Sequence, residues 1–413
     1  MDEGVGAVRT VPLRRIARIL NGGTPTSAEN NWGGDIEWAT PVDLARTDGR
    51  VLGPTDRKLT EIGLATGITL APHNAILLST RAPIGYTSIL ATQTSFNQGC
   101  KAIVLSSPGD PRFLQFSLIS QKESLQAAGS GSTFLELSNE ALAEAPVFLF
   151  PVEEQRRIAD FLDDRVARID QIIAARQQQV RHADRARISL VDSVLTPAHP
   201  SGMTRLGRLA TIQSGLTVDE KRSNASGGDC YPYLRVANVQ AGGLDLAEIK
   251  TVVAEEALAK RCTLRPGDVL MTEGGDLDKL GRGTVWHGEI SPCLHQNHVF
   301  AVRPARELLV ADYLALYTQS SAARSYFERT GSKTTNLAST SASKVMALPI
   351  PFVPISEQRD LASECQNQLA AVDAGVTALI SAVSLLQEYK QSLITAAVTG
   401  EFDVTTASTK IPE

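Results

Sequence analysis

Two patterns of apolar and polar positions alternate along this chain. Short apolar runs broken by glycine, proline, asparagine and aspartate occupy residues 11–150 and 204–352, a pattern typical of strands joined by turns. The clearest runs are NAILLST (74–80), KAIVLSS (101–107), DVLMTEGG (268–275) and HVFAVRP (298–304). Apolar residues at helical spacing also predict shorter helical segments at 111–126 and 310–328.

The second pattern predicts two long helices. Glu153–Thr196 lacks glycine and proline, and Ser356–Val398 carries apolar residues at helical spacing. The seam of the second helix comprises Leu361, Cys365, Leu369, Val372, Val376, Leu379, Val383, Leu386 and Leu393. The predicted boundaries are Pro151 and Pro354 before the helices, Ser356 as an N-cap, and Pro197 and Gly400 at the ends. Such seams pack lengthwise, so we expect an antiparallel pair, each helix roughly 60–65 Å long.

The two halves of the chain are similar in sequence. Residues 204–400 match residues 11–197 in order, which indicates a duplicated unit rather than a solenoid of short repeats. The matched pairs are VPLRRIARILNGGTP (11–25) with TRLGRLATIQSGLT (204–217), IEWATPVDL (36–44) with YPYLRVANV (231–239), TLAPHNAIL (69–77) with TLRPGDVLM (263–271), NQGCKAIVL (97–105) with HQNHVFAVR (295–303), AGSGSTFLELS (128–138) with TGSKTTNLAST (330–340), FPVEEQRRIADFLDDRVARID (150–170) with VPISEQRDLASECQNQLAAVD (353–373), and ISLVDSVLT (188–196) with QSLITAAVT (391–399).

These patterns predict an α+β fold. We expect two tandem mixed α/β domains, separated by two long antiparallel helices that form a coiled coil, with pseudo-two-fold symmetry inside the chain. The predicted parts are a first globular domain at 1–150, a central helix at 151–200, a second globular domain at 201–352, and a C-terminal helix and tail at 353–413. Neither helix can hide its apolar side alone, so the two helices are expected to pair.

Composition is that of a globular protein of two or three domains, with 413 residues, 43% hydrophobic and 21% charged. We find no run of about 18 apolar residues and no apolar segment at the start, so we expect neither a transmembrane helix nor a secretory signal. Five scattered cysteines favour the reducing cytoplasm over a disulfide framework. The net charge of −5 argues mildly against nucleic-acid binding.

Several strings resemble the specificity subunits of type I restriction–modification enzymes. They are STRAPIGY (79–86), SFNQGCKAI (95–103), GSGSTFLELS (129–138), PVEEQRRIADFLD (151–163), ISEQRDL (355–361) and LITAAVTGEFDV (393–404). Each string alone is weak, but the combination is specific and covers essentially the whole chain. The copies differ where GDLDKLGRG (275–283) replaces the APIG loop and where QN (296–297) replaces NQ, which weakens the transfer of contact residues more than that of the family.

The resemblance implies a non-catalytic, DNA-binding subunit of a phage-defence system. Each globular part would be a target-recognition domain that reads one half of a bipartite, asymmetric sequence in double-stranded DNA. The two helices would be spacers that set the half-site distance and dock two DNA adenine-methyltransferase subunits. In that family, restriction subunits, the ATP-driven motor nucleases, join this core. S-adenosylmethionine, ATP and magnesium are therefore expected in the partner subunits, with no cofactor in this chain.

The sequence agrees that catalysis lies elsewhere. It contains no phosphate-binding G-x-x-x-x-G-K-[ST] motif, because the nearest string, GSGSTF (129–134), lacks the lysine. It also lacks the Asn-Pro-Pro-aromatic and Asp-Pro-Pro-Tyr strings expected of an amino-methyltransferase, and it has no glycine-rich turn suited to an adenosyl cofactor.

Three polar clusters offer other chemistry, and each has a simpler interpretation. Cys293, His295 and His298 have metal-ligand spacing but no second ligand pair, so an ordinary turn is favoured. The acidic EGGDLD segment (273–278) could hold magnesium, but a solvated loop is favoured because no lysine follows at catalytic spacing. The aspartates of DFLDD (160–164) form a solvated helix face in the simplest interpretation, with partner docking as the lesser alternative.

Residues suited to DNA contacts occur at matched places in both copies. Arginine and lysine can reach guanine edges, asparagine and glutamine can pair with adenine edges, and small polar loops suit phosphates. The candidates are Thr24, Thr80, Arg81, Asn97, Gln98, Ser130, Ser132, Thr133, Arg235, Lys279, Arg282, Gln296, Asn297, Ser332, Lys333, Thr334 and Thr335. A surface charge, a structural turn or a bond to buried backbone is the alternative for each. The candidate partner-docking residues are Ile158, Leu162, Ile169, Ile172, Leu361, Val372, Leu379 and Leu386.

The mechanism predicted from these features is geometric. A rigid spacer holds two DNA-reading domains a set distance apart, and partner subunits supply much of the affinity because this chain is not basic. The alternative is a stand-alone DNA-binding or scaffold protein of the same fold without a modification partner. A neighbouring methyltransferase gene, or co-purification from the native host, would distinguish these two functions.

Overall fold

The computed structural model describes residues 9–81, 83–130, 135–195, 202–218, 228–240, 242–275, 280–333 and 338–405. The chain divides into two compact units. The first comprises Met1–Ala175 with Ala382–Glu413, and the second comprises Arg176–Ser381. Each unit therefore contains one globular part together with a portion of both long helices.

The first unit is built on two small sheets. Its strands are β1 (Thr10–Pro12), β2 (Ala17–Asn21), β3 (Trp32–Ala39), β4 (Arg50–Val51), β5 (Lys58–Leu59), β6 (Leu70–Ala71), β7 (Ile76–Ser79), β8 (Thr87–Ile89), β9 (Thr94–Phe96), β10 (Cys100–Leu105) and β11 (Pro146–Phe148). Its short helices are α1 (Pro41–Arg46), α2 (Glu61–Ala65), α3 (Pro111–Ile119), α4 (Lys122–Ala127) and α5 (Asn139–Ala143). The sheet orders are β2-β10-β7-β8-β4 and β5-β3-β9-β6, and β1 pairs with β11.

The second unit repeats this plan. Its strands are β12 (Met203–Arg205), β13 (Ala210–Ser214), β14 (Asp229–Leu234), β15 (Val239–Gln240), β16 (Gly243–Leu244), β17 (Lys250–Ala254), β18 (Val269–Thr272), β19 (Gly274–Gly275), β20 (Gly283–Val285), β21 (Leu294–His295), β22 (Val299–Pro304), β23 (Ser332–Lys333), β24 (Ala338–Ser339) and β25 (Pro349–Pro351). Its short helices are α7 (Glu256–Cys262), α8 (Ala311–Tyr317), α9 (Ser321–Thr330) and α10 (Ala342–Met346).

Strand order and pairing confirm the duplication. The order β13-β22-β18-β20 reproduces β2-β10-β7-β8, and β12 pairs with β25 as β1 pairs with β11. In the other sheet β14 lies parallel to β21, as β3 lies parallel to β9. The four apolar runs predicted as strands became β7, β10, β18 and β22. The predicted helical segments are present but broken, the first between α3 and α4 and the second between α8 and α9.

The two long helices are α6 (Val152–Leu195) and α11 (Ile355–Thr399). They start directly after Pro151 and Pro354, whose carbonyl oxygens accept the first helical hydrogen bonds at 3.0 Å. The prediction that Ser356 is an N-cap is wrong, because this residue already lies inside the first turn. Gly400 ends α11 with φ of +79°, as predicted, because glycine adopts this left-handed conformation without strain. Pro197 lies outside the described residues.

The long helices pack antiparallel within each unit. In the first unit Lys390 Nζ lies 2.7 Å from Asp170 Oδ1, and Phe161 contacts Phe402 with ring centroids 5.8 Å apart. Residues later in α6 thus contact residues earlier in α11, as antiparallel helices do. In the second unit the buried Val191 and Leu195 join a core with Ala362, Cys365 and Leu369, and Arg187 forms an ion pair with Asp373.

A buried glutamine at the start of each long helix joins it to the globular part. Gln358 Oε1 accepts the backbone N–H of Val310 at 2.9 Å, and its Nε2 donates to the carbonyl oxygens of Val353 at 2.9 Å and Leu308 at 3.0 Å. Gln155 likewise accepts from Asp110 N at 2.9 Å and donates to Phe150 O at 2.9 Å. The repeated Glu-Gln string of the two halves is therefore a structural link between helix and domain.

One feature of α11 departs from expectation. By length and composition this helix could cross a membrane, since its most apolar window of 18 residues has a mean hydropathy of 2.0. Only 6% of that window is buried in the described structure. A search for unbroken apolar runs does not detect this window, because alanine, serine and glycine lie between its apolar residues and lower its mean hydropathy only slightly. The helix therefore presents an apolar surface over its central part.

Candidate nucleic-acid interface

Two loops meet tightly in the first unit. A Cβ atom on Gly22 would overlap the carbonyl oxygen of Asn97, so only glycine allows the chain to pass here. Gly23 N donates to Phe96 O at 2.9 Å, and the Thr24 hydroxyl hydrogen-bonds the amide oxygen of Gln98. The two loops thus present Thr24 and Gln98 side by side on the surface, where both side chains are exposed.

Two further loops contact the pair of loops that carry Thr24 and Gln98. Thr80 N donates to Gly99 O at 2.8 Å, which brings the end of β7 to the Asn97–Gly99 turn. Arg81 Nε lies 3.1 Å from Glu136 Oε2, and Glu136 exchanges backbone hydrogen bonds of 3.0 and 3.1 Å with Ser130. We name this cluster the first junction; it consists of Gly22–Thr24, Thr80–Arg81, Asn97–Gly99 and Ser130.

The second unit builds the same arrangement from different side chains. A Cβ atom on Gly215 would overlap the carbonyl oxygens of His295 and Gln296. Leu216 N donates to His295 O at 2.9 Å, and Asn297 N donates to Leu216 O at 2.9 Å. The glycine loop and the Asn/Gln turn that the sequence match aligned are therefore neighbours in both units.

The remaining loops of the second unit follow the same scheme. Glu273 N donates to His298 O at 2.9 Å, and the Glu273 carboxylate binds His298 Nδ1 at 2.6 Å. Ser332 and Gly274 both pair with Ser339 of β24, just as Ser130 and Arg81 both pair with Glu136 in the first unit. Lys344 Nζ donates to Ser332 Oγ at 3.0 Å. We name Gly215–Leu216, Glu273–Gly275, Gln296–His298 and Ser332 the second junction.

The close approach at Gly215 leads to a testable expectation. Replacing Gly215 by alanine forces the backbone apart at the second junction and lowers the free energy of unfolding by about 2 kcal/mol, the usual cost of overpacking. Gly243→Ala is the matched control, because a Cβ there meets no heavy atom within 4 Å. Urea titration of both variants measures the difference, and equal stability of the two would contradict the packing described here.

The structure brings together Thr24, Asn97, Gln98, Arg81 and Ser130 in one unit and Gln296, Asn297 and Ser332 in the other. Arg235 follows β14, whose Leu234 accepts from Gln296 N at 2.9 Å, so it also lies beside the second junction. Its guanidinium group is 3.3 Å from Glu248, which makes it an ion-paired residue. Arg282 lies just before β20 and lines a cleft instead.

Some candidates do not fit a direct contact, and others are not described. Thr80 is fully buried and its hydroxyl donates to Gly99 O at 3.3 Å, so the prediction of a DNA contact is wrong for its side chain. Asn97 uses its amide oxygen to accept from Gly99 N at 3.0 Å, a local turn bond. Five candidates lie outside the described residues: Ser132, Thr133, Lys279, Thr334 and Thr335. Of Lys333 only the backbone is described.

The helix candidates divide into two groups. Ile158, Leu162 and Ile169 are no more than 3% exposed, and the first two pack with Phe113 and Ile394 in the core of the first unit. The prediction of partner docking is wrong for these three, because the chain's own residues cover them. The half-buried residues are Ile172, Leu361, Val372, Leu379 and Leu386. Each of these five side chains leaves part of its apolar surface exposed, so partner docking remains a prediction for them.

Cys293, His295 and His298, the residues with metal-ligand spacing, each bond to other groups of the protein. His295 is fully buried, with Nδ1 2.6 Å from Val299 O and Nε2 3.3 Å from Gln213. Burial lowers the pKa of His295 and raises the pKa of the Cys293 thiol to about 12, so the imidazole is neutral and the thiol protonated near neutral pH. Among the described residues no group of three or more His, Cys, Asp and Glu side chains is arranged to hold a metal ion.

The acidic face of α6 is engaged within the first unit. Arg112 Nη1 lies 2.8 Å from both Asp160 and Asp163, and Asp164 pairs with Arg168 at 2.9 Å. Burial raises the pKa of Asp163, an effect that the charge of Arg112 opposes. These carboxylates therefore tie α6 to α3 and to itself, which accounts for them without a partner subunit.

Two features beside the first junction escaped sequence reasoning. Arg57 stacks its guanidinium group 3.4 Å above the ring of Trp32, and Trp38 Nε1 donates to Gly23 O at 3.0 Å. Lys101 is buried, which lowers its pKa, and Nζ donates to Asn21 Oδ1 at 3.0 Å. The signal available in the sequence was that two of the three tryptophans lie close to the glycine loop.

Two copies of one loop junction, each on its own sheet and each in a unit that includes parts of both long helices, define a duplicated two-domain protein. A family model described as type I restriction modification DNA specificity domain matches residues 7–182. Residues 7–182 therefore match the DNA specificity domain of type I restriction–modification systems, and the chain is similar to the specificity subunits of these systems.

Curated relatives and a solved structure agree with this assignment. The MjaIX specificity subunit of Methanocaldococcus jannaschii is 28% identical over 56% of this chain and 57% of its own length. The EcoKI specificity subunit of Escherichia coli is 25% identical over 70% of this chain and 64% of its own length. These matches thus span under two thirds of either relative. A structure from work on complex assembly of a type I restriction–modification system has a TM-score of 0.71 at 18% identity, covering 96% of this chain and 99% of that chain, which supports the fold.

Proposed function

We propose that this chain reads a bipartite, asymmetric sequence in double-stranded DNA, one half-site through each junction. The observation that carries this proposal is the repetition of one backbone arrangement with different side chains. Thr24, Gln98 and Arg81 line the first junction, whereas Gln296, Asn297 and Ser332 line the second. Amide and guanidinium groups read base edges in the major groove. Two junctions with the same backbone arrangement but different side chains would therefore read two different half-site sequences.

The exposed apolar surface of α11 is the proposed docking surface for DNA adenine-methyltransferase subunits. Its candidates are the half-buried Val372, Leu379 and Leu386, joined by the exposed Ile380 and Leu385 at 56% and 64%. Exposed apolar residues in such number mark an interaction site rather than a solvated helix. We propose that two such methyltransferase subunits bind this chain and that restriction subunits join the resulting complex. S-adenosylmethionine, ATP and magnesium would be bound by these partner subunits.

This proposal assigns the protein to the cytoplasm. All five cysteines are free thiols, four of them buried, which suits a reducing compartment. The apolar window of α11, which is only 6% buried, is then available for partner docking, whereas the buried Cys365 and Ile394 of the same helix pack in the second and the first unit. A stand-alone DNA-binding protein of the same fold is the second candidate, and it leaves this apolar surface without an occupant.

Long-read sequencing of modified bases in the host genome tests the DNA-reading proposal. The wild-type strain should carry methylation at two short half-sites separated by unspecified bases. Gln98→Ala should relax recognition in one half-site only, and Gln296→Ala in the other half-site only. A single continuous motif, or methylation unaffected by loss of the gene, would contradict the proposal.

Helix length is expected to set the number of unspecified bases. Inserting four alanines after Gln178 in α6 and four after Ser381 in α11 lengthens each helix by about 6 Å. At about 3.4 Å per base pair the spacer between half-sites should grow by about two base pairs, with both half-sites unchanged. The same insertion after Ser107, in an exposed loop, is the control. An unchanged spacer in the helix variant would argue against a rigid spacer.

A further inference from the structure

An arginine-rich cleft lies within the second unit. It has a volume of about 510 Å³, and it is bounded by the last turns of α6, the start of β20 and the segment from α8 to α9. Its arginines are Arg181, Arg185, Arg187, Arg282 and Arg324, and Asp184 is the carboxylate among its lining residues. Arg187 and Arg282 have partners within the protein, whereas Arg181, Arg185 and Arg324 face one carboxylate, Asp184, so the cleft is locally positive in a chain whose net charge is −5.

Most of this charge is not neutralised by the protein. Arg187 forms an ion pair with Asp373. Over the described ranges, the guanidinium groups of Arg181, Arg185 and Arg324 make no hydrogen bond or ion pair. Arginines that stabilise a fold normally pair with carboxylates, since an unpaired cluster repels itself. A bound polyanion would neutralise these three groups, which water alone now screens.

The first unit has a cleft with balanced charge. There Lys122 lies 2.9 Å from Asp48, and Asp170 pairs with Arg50 at 3.3 Å and with Lys390 at 2.7 Å. The sequence match of the helix ends places Ser384 and Glu388 opposite Arg181 and Arg185. The positive cleft is thus a feature of one copy rather than a by-product of the shared fold.

We infer that this arginine cleft binds backbone phosphates of duplex DNA beside the half-site read by the second unit. The inference rests on the proposed DNA-reading function and deepens it. Arginine forks match the oxygens of a phosphate, and a row of them suits a polyanion better than one small anion. Arg282 follows Gly281, whose backbone N donates to Thr272 O at 3.3 Å next to the second junction, so the cleft and the junction adjoin and one duplex can contact both. Phosphate contacts of this kind supply affinity that does not depend on sequence.

The test uses the full chain together with its co-purified partner subunits, if present. The variant is Arg181→Gln/Arg185→Gln/Arg324→Gln. The control, Arg156→Gln/Arg157→Gln/Arg168→Gln, removes the same charge from exposed sites on α6 in the first unit. Fluorescence anisotropy over a potassium chloride series measures binding to a labelled duplex carrying the host motif and to a scrambled duplex.

We expect the cleft variant to bind both duplexes at least about tenfold more weakly at physiological salt, with the salt slope reduced by about 2 to 3 and the ratio between duplexes unchanged. The control variant should stay near wild type, and the triple lysine variant at the cleft should keep most of the slope. Equal loss in the control, or an unchanged slope in the cleft variant, would overturn the inference. So would unchanged DNA binding with loss of partner subunits, which indicates an acidic protein surface. Failure of the wild type to prefer the motif would instead remove the proposed function itself.

Discussion

Replacing Gln358 by leucine is expected to lower the free energy of unfolding by about 3 kcal/mol. Leucine fills a similar volume but leaves the N–H of Val310 and the carbonyl oxygens of Val353 and Leu308 without a partner. Each buried polar group left unsatisfied costs about 1–3 kcal/mol, and Leu308, at 38% exposure, can recover water. Gln358 itself is only 1% exposed, so no water replaces its amide.

Urea titration measures this loss, and hydrogen exchange locates it. Protection should fall first at the start of α11 and at the segment before α8, because these are the elements that the glutamine joins. Gln366→Leu is the matched control on the same helix, since Gln366 is exposed and makes a single bond to Asp312 of 2.9 Å. Equal destabilisation by the two variants would show that the buried bonds of Gln358 carry no special weight.

Replacing Asp268 by alanine is expected to cost about 3 kcal/mol as well. Asp268 is 1% exposed, accepts two bonds of 2.7 Å from Arg303, and accepts from Arg265 N at 2.8 Å. Breaking a buried ion pair from one side costs about 3–5 kcal/mol. The lower end applies here because the Arg303 side chain is 29% exposed and keeps some hydration.

A double-mutant cycle separates the ion pair from its surroundings. Asp268→Ala/Arg303→Met should be more stable than Asp268→Ala alone, since no unpaired guanidinium group then remains in the partly buried site. Glu256→Ala is the surface control: its pair with Lys260 is exposed on both sides and is expected to contribute less than about 1 kcal/mol. A stability loss for Asp268→Ala no larger than this control would contradict the buried character of the pair.

The sequence predicted the architecture well because its evidence was periodic and repeated. Matching strings identified two copies before any strand was placed, and the glycine at 215 and the Gln296–Asn297 pair were aligned with residues that occupy the same places in the first unit. The duplication was informative because each half of the chain could be compared with the other half. An error in one copy would have stood out against the other.

Contacts between segments distant along the chain could not be predicted in this way. The pairing of His298 with Glu273 and the arginines of the cleft depend on which loops meet, and no spacing rule records that. Helical periodicity marks Leu162 and Leu386 alike as seam residues. It does not decide that Phe113 and Ile394 lie in the same core as Leu162, while Leu386 stays half-buried.

The division of each long helix between two units has a consequence for biosynthesis. One core cluster of the first unit combines Ile394, Ala397 and Val398, which are translated after the whole of the second unit, with Phe113 and Ile158, which are translated before it. The second unit, by contrast, closes with Arg176–Ser381 alone. The two sheet cores of the first unit can therefore close during translation in the usual order, whereas the cluster that joins α3, α6 and α11 can close only after the second unit has been made. Until α11 has been translated, the apolar side chains of Phe113, Ile158 and Leu162 stay uncovered, and chaperone protection during this delay is most valuable for that surface.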